Sequence, residues 1–380
     1  MMVNYYERAV LVDFELKLKP NKVLILLGAR RVGKTKLIKR YLENTKEKFL
    51  QLNGEDLNDT RLLEDRSVAN YSKLLQDISI LVIDEAQNIS DIGMILKFIV
   101  DQIEGIKVIA TGSSMFDLAN KLGEPLVGRK HTLFLFPLSQ IEFSKYENYK
   151  QTTENLEERL IYGGYPELTH YESWYDKKDY LKEIVNAYLL KDILVFDGIK
   201  NSDKIYDLLR MIAYQVGKEV SLQELGNQLN MSKNTVERYL DLLSKVFIIF
   251  KIEGFSRNLR KEITKSSRWY FYDNGIRNAI INNFNTFQNR TDIGVLWENY
   301  LASERMKKQQ YQHFFKQNYF WRTYDQQELD WLETEAESVA GYEFKWNENK
   351  KSKIPTAFAK AYPDASFEVI SKQNYLEFIV

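Results

Sequence analysis

The sequence predicts an α/β fold with a parallel sheet in its front third, followed by helical and then mixed α/β segments. Three observations carry that expectation. VLILL (residues 23–27) and ISILVID (residues 78–84) are apolar runs of strand length, the pattern of strands covered on both faces. The first leads through a glycine turn into an amphipathic stretch, KLIKRYL, that reads as a helix. From about residue 150 the apolar spacing changes to three and four residues, and near the end short strand-like runs return.

Composition narrows the function classes. A chain of 380 residues has room for two or three domains. Its 53 basic and 53 acidic residues cancel, so the molecule as a whole does not advertise a polyanionic partner, although a local basic patch is still open. With no cysteine, disulfides, thiolate metal sites and thiol nucleophiles are excluded. His131, His170 and His313 are too scattered for a zinc spacing. The 24 tyrosines and 21 phenylalanines against 6 prolines argue for dense packing rather than disorder. The first residues hold no apolar signal core, and no apolar run is long enough for a bilayer. The expectation is a cytoplasmic protein without a membrane anchor.

The first strand runs into GARRVGKT, residues Gly28, Ala29, Arg30, Arg31, Val32, Gly33, Lys34 and Thr35. Strand, G-x-x-x-x-G-K-[ST] and helix in that order make a P-loop. The glycines let the backbone curl so that its N–H groups face a β-phosphate, and the helix N-terminus adds positive potential. Lys34 would neutralise the β- and γ-phosphates of ATP, and Thr35 would ligate Mg²⁺. The strand ISILVID ends in Asp84 and Glu85, which look like a Walker B pair. Asp84 would hold Mg²⁺ through water, and Glu85 would polarise the attacking water. The third run, KVIATGSS (residues 107–114), ends in hydroxyls. Thr111 or Ser113 is placed to sense a γ-phosphate, or Ser113 or Ser114 simply caps the next helix.

The series GARRVGKT, LVIDEAQ, ATGSS, LVGRKHTLFLFPLSQIEF and YGGYPE resembles AAA+-type ATPases of bacteria and archaea that carry an uncharacterised C-terminal region, over nearly the whole chain. The resemblance implies an ATP-binding AAA+ core, a helical lid and a tendency to assemble as a homo-oligomer. Arg129 matches the family's Gly-Arg element and would approach a γ-phosphate in its own site or a neighbour's, or form a structural ion pair. The segments ENLEERLIYGGYPEL and WYDKKDYLKEIVNAYLLKDIL suit the lid.

A winged helix-turn-helix is expected next. Ser221 can cap SLQELGNQL with Glu224 completing a capping box, Ser232 can cap the following helix, and LNMS is the tight turn between them. VFIIFKIEGF and RWYFYDNG read as strands. Lys233, Asn234 and Arg238 lie off the apolar face of the third helix, where a recognition helix meets a major groove. Arg257, Arg260 and Lys261 belong to a basic stretch, residues 251–268, suited to DNA phosphates. Contact with a protein partner is the alternative.

In the tail, a helix carries Glu298, a strand carries Asp330, and GYEFKW carries Glu343 and Lys345 two residues apart on one strand face. E-x-K alone says little, because it recurs at Glu15–Lys17 and Glu348–Lys350. The order of helix, strand and strand resembles the PD-(D/E)XK nuclease fold, so a restriction-endonuclease-like α/β domain is expected. Glu298, Asp330 and Glu343 would be Mg²⁺ ligands and Lys345 the catalytic cation of phosphodiester cleavage. Alternatively Glu343 pairs with Lys345, and Asp330 with Arg322, on a solvated face. The expected divisions are an ATPase core (1–145), a lid (146–200), a winged helix-turn-helix (201–275) and the nuclease-like segment (276–380). The expected activity is ATP hydrolysis coupled to DNA binding and Mg²⁺-dependent cleavage. The alternative is a nucleotide switch whose inactive tail binds protein.

Overall fold

A computed structural model describes residues 5–113, 126–189, 202–256, 267–347 and 352–380. The chain forms two compact units, Glu7–Phe136 with Lys245–Phe247, and Pro137–Ser244 with Ile248–Val380 and the N-terminal residues.

The smaller unit is built on five strands in the order β2-β3-β4-β1-β5. They are β1 (Lys22–Leu27), β2 (Phe49–Asn53), β3 (Ile80–Asp84), β4 (Lys107–Gly112) and β5 (Lys130–Phe134). Every pairing is parallel. The three central strands are the apolar runs singled out in the sequence, and they are buried almost throughout, while the edges β2 and β5 are half exposed. Helices α1 (Leu11–Lys17), α2 (Lys34–Asn44), α3 (Leu57–Glu64), α4 (Val68–Leu74) and α5 (Ile92–Gln102) complete the unit. A parallel sheet puts all its strand C-termini on one edge, so the loops after β1, β3 and β4 gather there.

The larger unit contains helices α6 (Gln140–Phe143), α7 (Tyr149–Tyr162), α8 (Trp174–Glu183), α9 (Ser202–Tyr214), α10 (Leu222–Leu229) and α11 (Lys233–Lys245). It continues with α12 (Asn274–Ile280), α13 (Ile293–Gln312), α14 (Thr356–Ala361) and α15 (Tyr375–Ile379). Its sheet has seven strands in the order β12-β11-β10-β9-β7-β8-β6. They are β6 (Glu219–Val220), β7 (Ile249–Gly254), β8 (Ser267–Phe271), β9 (Gln317–Arg322), β10 (Glu328–Glu335), β11 (Ser338–Phe344) and β12 (Ser366–Ile370). The expected division at 275/276 therefore falls between strands of one sheet, joined where β7 pairs with β9.

Ser221 caps α10 by accepting from the N–H of Glu224, but Glu224 accepts from Gln228 rather than closing the expected box. Asn230 ends the helix in the left-handed conformation, and Ser232 then accepts from the N–H of Thr235 at the start of α11. The buried stripe of α11 is Val236, Tyr239, Leu240, Leu242 and Leu243. Trp321, Leu329, Leu332, Val339, Phe358 and Tyr362 form the core of the tail.

The YGGYPE segment has a structural task. The N–H of Gly164 donates to Asp273, which also caps α12 through Ile276. A Cβ on Gly163 would lie 2.0 Å from an Asp273 oxygen, and its φ of 77° favours glycine as well. Burial raises the Asp273 carboxyl's pKa, with the Lys307 ammonium and backbone N–H groups opposing the shift.

Candidate functional site

At the C-terminal edge of the five-stranded sheet, Gly28–Thr35 closes into a tight loop and Lys34 is the first residue of α2. Gly28 must be glycine: a Cβ there would sit 2.1 Å from the carbonyl oxygen of Leu135. Gly33 has a φ of 96°, and Arg31 is left-handed as well, at 64°. Ala29 and Val32 are buried, Arg30 is half-buried, and Arg31 is exposed. The Lys34 ammonium lies inside the loop, 2.8 Å from the carbonyl of Gly28 and 3.1 Å from that of Ala29. Arg8, which the sequence reading missed, braces the loop by donating at 2.6 Å each to the carbonyls of Val32 and Phe136. It stands outside any motif.

The Thr35 hydroxyl donates to Asp84 Oδ2 at 2.8 Å. Two hard oxygen donors of the kind Mg²⁺ takes are thus adjacent beside the lysine, and they fit that ion. Thr111 does not point free toward a phosphate. Its hydroxyl donates to Asp84 and accepts from the N–H of Glu85, which makes it a positioning residue for both. Glu85 is held in the left-handed region at φ 49°, strained for a residue with a Cβ. Gln87 donates to Glu85 Oε2 and, at 3.3 Å, to Ser113. Ser113 thereby belongs to the same group.

Arg129 is elsewhere. Its carbonyl accepts from the N–H of Val23, at the start of β1, whereas the loop follows the end of that strand. Five residues of strand separate the two ends, roughly 16 Å. The guanidinium pairs with Asp101 at 2.6 Å. The expectation that Arg129 serves its own nucleotide fails because the parallel strand runs the wrong way for it.

A second constellation forms in the tail. Glu298 on α13, Asp330 on β10, and Glu343 and Lys345 at the end of β11 come together, as expected from sequence. Asp330 falls where the β9–β10 register slips between Leu329 and Leu332, an irregularity of the kind that re-aims side chains. Its Oδ2 accepts from the N–H of Phe344 at 2.8 Å. Lys345 donates to Glu343 at 2.5 Å, and the hydroxyl of Tyr270 donates to Glu298 Oε1 at 2.8 Å. Asp330 does not pair with Arg322, whose partner is Glu219. It faces Arg268 instead.

Arg268, on β8, is the residue the sequence did not announce. It is 2% exposed. Its Nη2 donates to Glu328 at 2.8 Å, and its Nη1 lies 3.8 Å from Asp330 Oδ1 and 4.0 Å from Glu298 Oε1. Burial, together with the neighbouring charges of Glu298 and Glu343, pushes the Asp330 carboxyl pKa well up. Burial also raises Glu298, against the pull of Arg268 and Tyr270. For Lys345, burial works downward, but the hydrogen bond and charge of Glu343 outweigh it and hold its pKa above the ordinary value. Among the described residues, no three histidine, aspartate or glutamate side chains are arranged to hold a metal. The set Glu298, Asp330 and Glu343, expected to ligate Mg²⁺, is brought together but does not fit that ion, because cations of the chain itself have taken the carboxylates.

Lys233, Asn234 and Arg238 are exposed on α11, alongside Glu237 and Asp241. Arg257, Arg260 and Lys261 lie outside the described residues. No helix among the described residues is long and apolar enough to cross a membrane.

Residues 20–144 match the AAA domain. Residues 153–286 and 293–376 match two domains of unknown function, DUF8612 and DUF4143. A Methanocaldococcus jannaschii protein is 27% identical over 263 residues, 64% of this chain and 59% of that protein, so this chain spans less than two thirds of its length. A Haemophilus influenzae protein is 24% identical over 68% of this chain and 69% of its own length. A Mycobacterium tuberculosis protein is 24% identical over 85% and 70%. All three carry the name uncharacterised protein. Among solved structures, the Walker-type ATPase of Pyrococcus abyssi aligns with a TM-score of 0.49 and 16% identity, over 73% of this chain and 96% of that one. The segment that matches the AAA domain, residues 20–144, is thus the one that assembles the phosphate loop, Thr35 and Asp84 on a parallel sheet, an ATPase-like arrangement.

Proposed function

We propose that this protein binds and hydrolyses ATP with Mg²⁺, and that its nucleotide state governs how a winged helix-turn-helix engages DNA. The observation that carries the ATPase reading is the Thr35–Asp84 hydrogen bond beside Lys34 at the mouth of the glycine loop. Thr35 and Asp84 would hold the Mg²⁺, which supplies charge neutralisation at the β- and γ-phosphates. The N–H groups of Gly28–Thr35 cradle the phosphates, and Lys34 leaves the loop carbonyls for them. Glu85 orients the attacking water, and Thr111 fixes the directions of both Glu85 and Asp84. The test is phosphate release by Lys34→Ala and Glu85→Gln beside the wild type. Unchanged hydrolysis in Lys34→Ala sinks the assignment.

The DNA half of the reading is supported by two helices joined at Asn230, a following hairpin, and the exposed Lys233, Asn234 and Arg238. Binding of duplex DNA should weaken steeply with salt and fall in Lys233→Ala/Arg238→Ala. A second reading, a nucleotide-controlled switch that takes a protein partner, is favoured by the charge balance of the same surface. Lys233, Arg238 and Lys251 share a groove of about 1100 Å³ with Glu237, Asp241 and Glu253, and Trp269 and Tyr319 also line it. Among the described residues the charges of both signs are equal around aromatic rings, which suits a polypeptide better than a phosphate backbone. A flat salt dependence decides for this reading.

A further inference from the structure

The acidic cluster of the tail raises a question that the ATPase does not answer: what balances buried carboxylates that no metal arrangement serves. We propose that Arg268 is the resident cation of this cluster, standing where a divalent ion would bridge Glu298 and Asp330, and that its presence keeps the cluster free of metal.

The position of the guanidinium is the first argument. Its Nη1 lies nearly equidistant from the two carboxylates, at 3.8 and 4.0 Å, while Nη2 is anchored on Glu328. The guanidinium carbon lies over the Phe320 ring, 4.6 Å from its centre, a cation–π contact that helps hold the group in place. A divalent ion needs oxygen ligands at about 2.0–2.6 Å. To bind the same two carboxylates it would have to sit against a fixed positive charge of this chain.

One oxygen of each carboxylate is also committed. Glu298 Oε1 accepts from Tyr270, Asp330 Oδ2 from the N–H of Phe344, and Glu343 Oε1 from Lys345. Space is restricted on the Glu298 side. A Cβ on Gly217 would meet Oε1 of Glu298 at 2.2 Å, so the chain backbone is already pressed against that carboxylate. Arg268 Nε has no hydrogen-bond partner although it is buried. An unmet donor at the centre of the cluster calls for an acceptor such as water, not for a second cation.

Arg268 lies in β8, between β7 and β6, whereas the acids lie on α13, β10 and β11. The cation therefore comes from outside the segment that carries the acids, and the tail's own residues do not determine whether the cluster takes metal. This inference stands apart from the ATPase and DNA readings, and it argues against Mg²⁺-dependent cleavage by this tail.

The test uses the full chain without nucleotide, with Asp84→Asn in every sample to weaken the phosphate-loop site, and Mn²⁺ as the probe. Binding is followed by loss of the free aqueous Mn²⁺ electron paramagnetic resonance signal. With Arg268 present, the tail should take no Mn²⁺. Arg268→Gln should gain a Mn²⁺ site that Asp330→Asn then removes, while Arg268→Lys, which keeps the charge, should gain none. Mn²⁺ bound with Arg268 in place and lost on Asp330→Asn overturns the proposal, and that arm does not depend on Arg268→Gln folding. A folded Arg268→Gln that gains no Mn²⁺ overturns it equally.

Discussion

The phosphate loop and the tail's acidic cluster make an instructive pair. The loop is eight consecutive residues, completed by residues at the ends of two neighbouring strands in a parallel sheet. The groups it offers a phosphate are mostly backbone N–H, set by glycine geometry that is written locally. The cluster is assembled from side chains on β8, α13, β10 and β11, between residues 268 and 345. What its carboxylates can do depends on an arginine that no spacing rule connects to them. A backbone site can be read along a line of sequence, whereas a side-chain site depends on which counter-charge the fold delivers.

Substitutions can break or sharpen this contrast, and the largest effect belongs to the loop. Lys34→Ala should lower ATP hydrolysis about a hundredfold or more, because a preorganised positive charge on the transferring phosphoryl group is lost. Phosphate release measures it. Glu85→Gln should slow turnover about a hundredfold while leaving ATP binding intact, since the group that orients water is lost but the cradle is not. Titration with a fluorescent ATP analogue separates the two; weaker binding in Glu85→Gln would mean that Glu85 also shapes the cradle.

The cluster is probed through stability. Gly217→Ala should destabilise the fold by about 2–3 kcal/mol, combining a φ of 72° with a collision at Glu298. Gly105→Ala is the control: its φ is 79°, but nothing stands within 4 Å of the added atom, so about 1 kcal/mol is expected. Equal midpoint shifts in urea would show that packing against Glu298 is loose. Thr111→Val should reduce turnover about tenfold, because Asp84 and Glu85 lose a shared anchor but keep their places on β3 and its loop. Arg129→Ala should leave hydrolysis unchanged at low protein concentration. A loss that appears only on concentrating the protein would assign Arg129 to a neighbour's site.

The legible parts were those with a period or a contiguous motif. VLILL, ISILVID and KVIATG became the buried strands β1, β3 and β4, because a parallel strand covered on both faces has to be apolar throughout. Glu298, Asp330, Glu343 and Lys345 were found as a set because helix and strand order places them at adjoining element faces. Arg268 stayed hidden, since an arginine beside a lysine-rich stretch looks like a solvated wing residue until β8 is paired between β7 and β6. Arg8 stayed hidden for the same reason: its two carbonyl acceptors are 24 and 128 residues away. The sequence puts the Thr111 hydroxyl at a strand end beside the phosphate loop but does not show its partners. A hydroxyl at a strand end looks free until the neighbouring strand offers Asp84 and Glu85 to it.

By itself the sequence determined the phosphate loop, its Asp–Glu partner and the parallel core, because each follows from short-range geometry and apolar pattern. Tertiary structure decided that Arg129 sits at the wrong end of its strand, that the hairpin and the tail share one sheet, and that the tail's carboxylates face an arginine. Those outcomes depend on which distant segments pair, and the burial that makes a charge partner decisive exists only once they have.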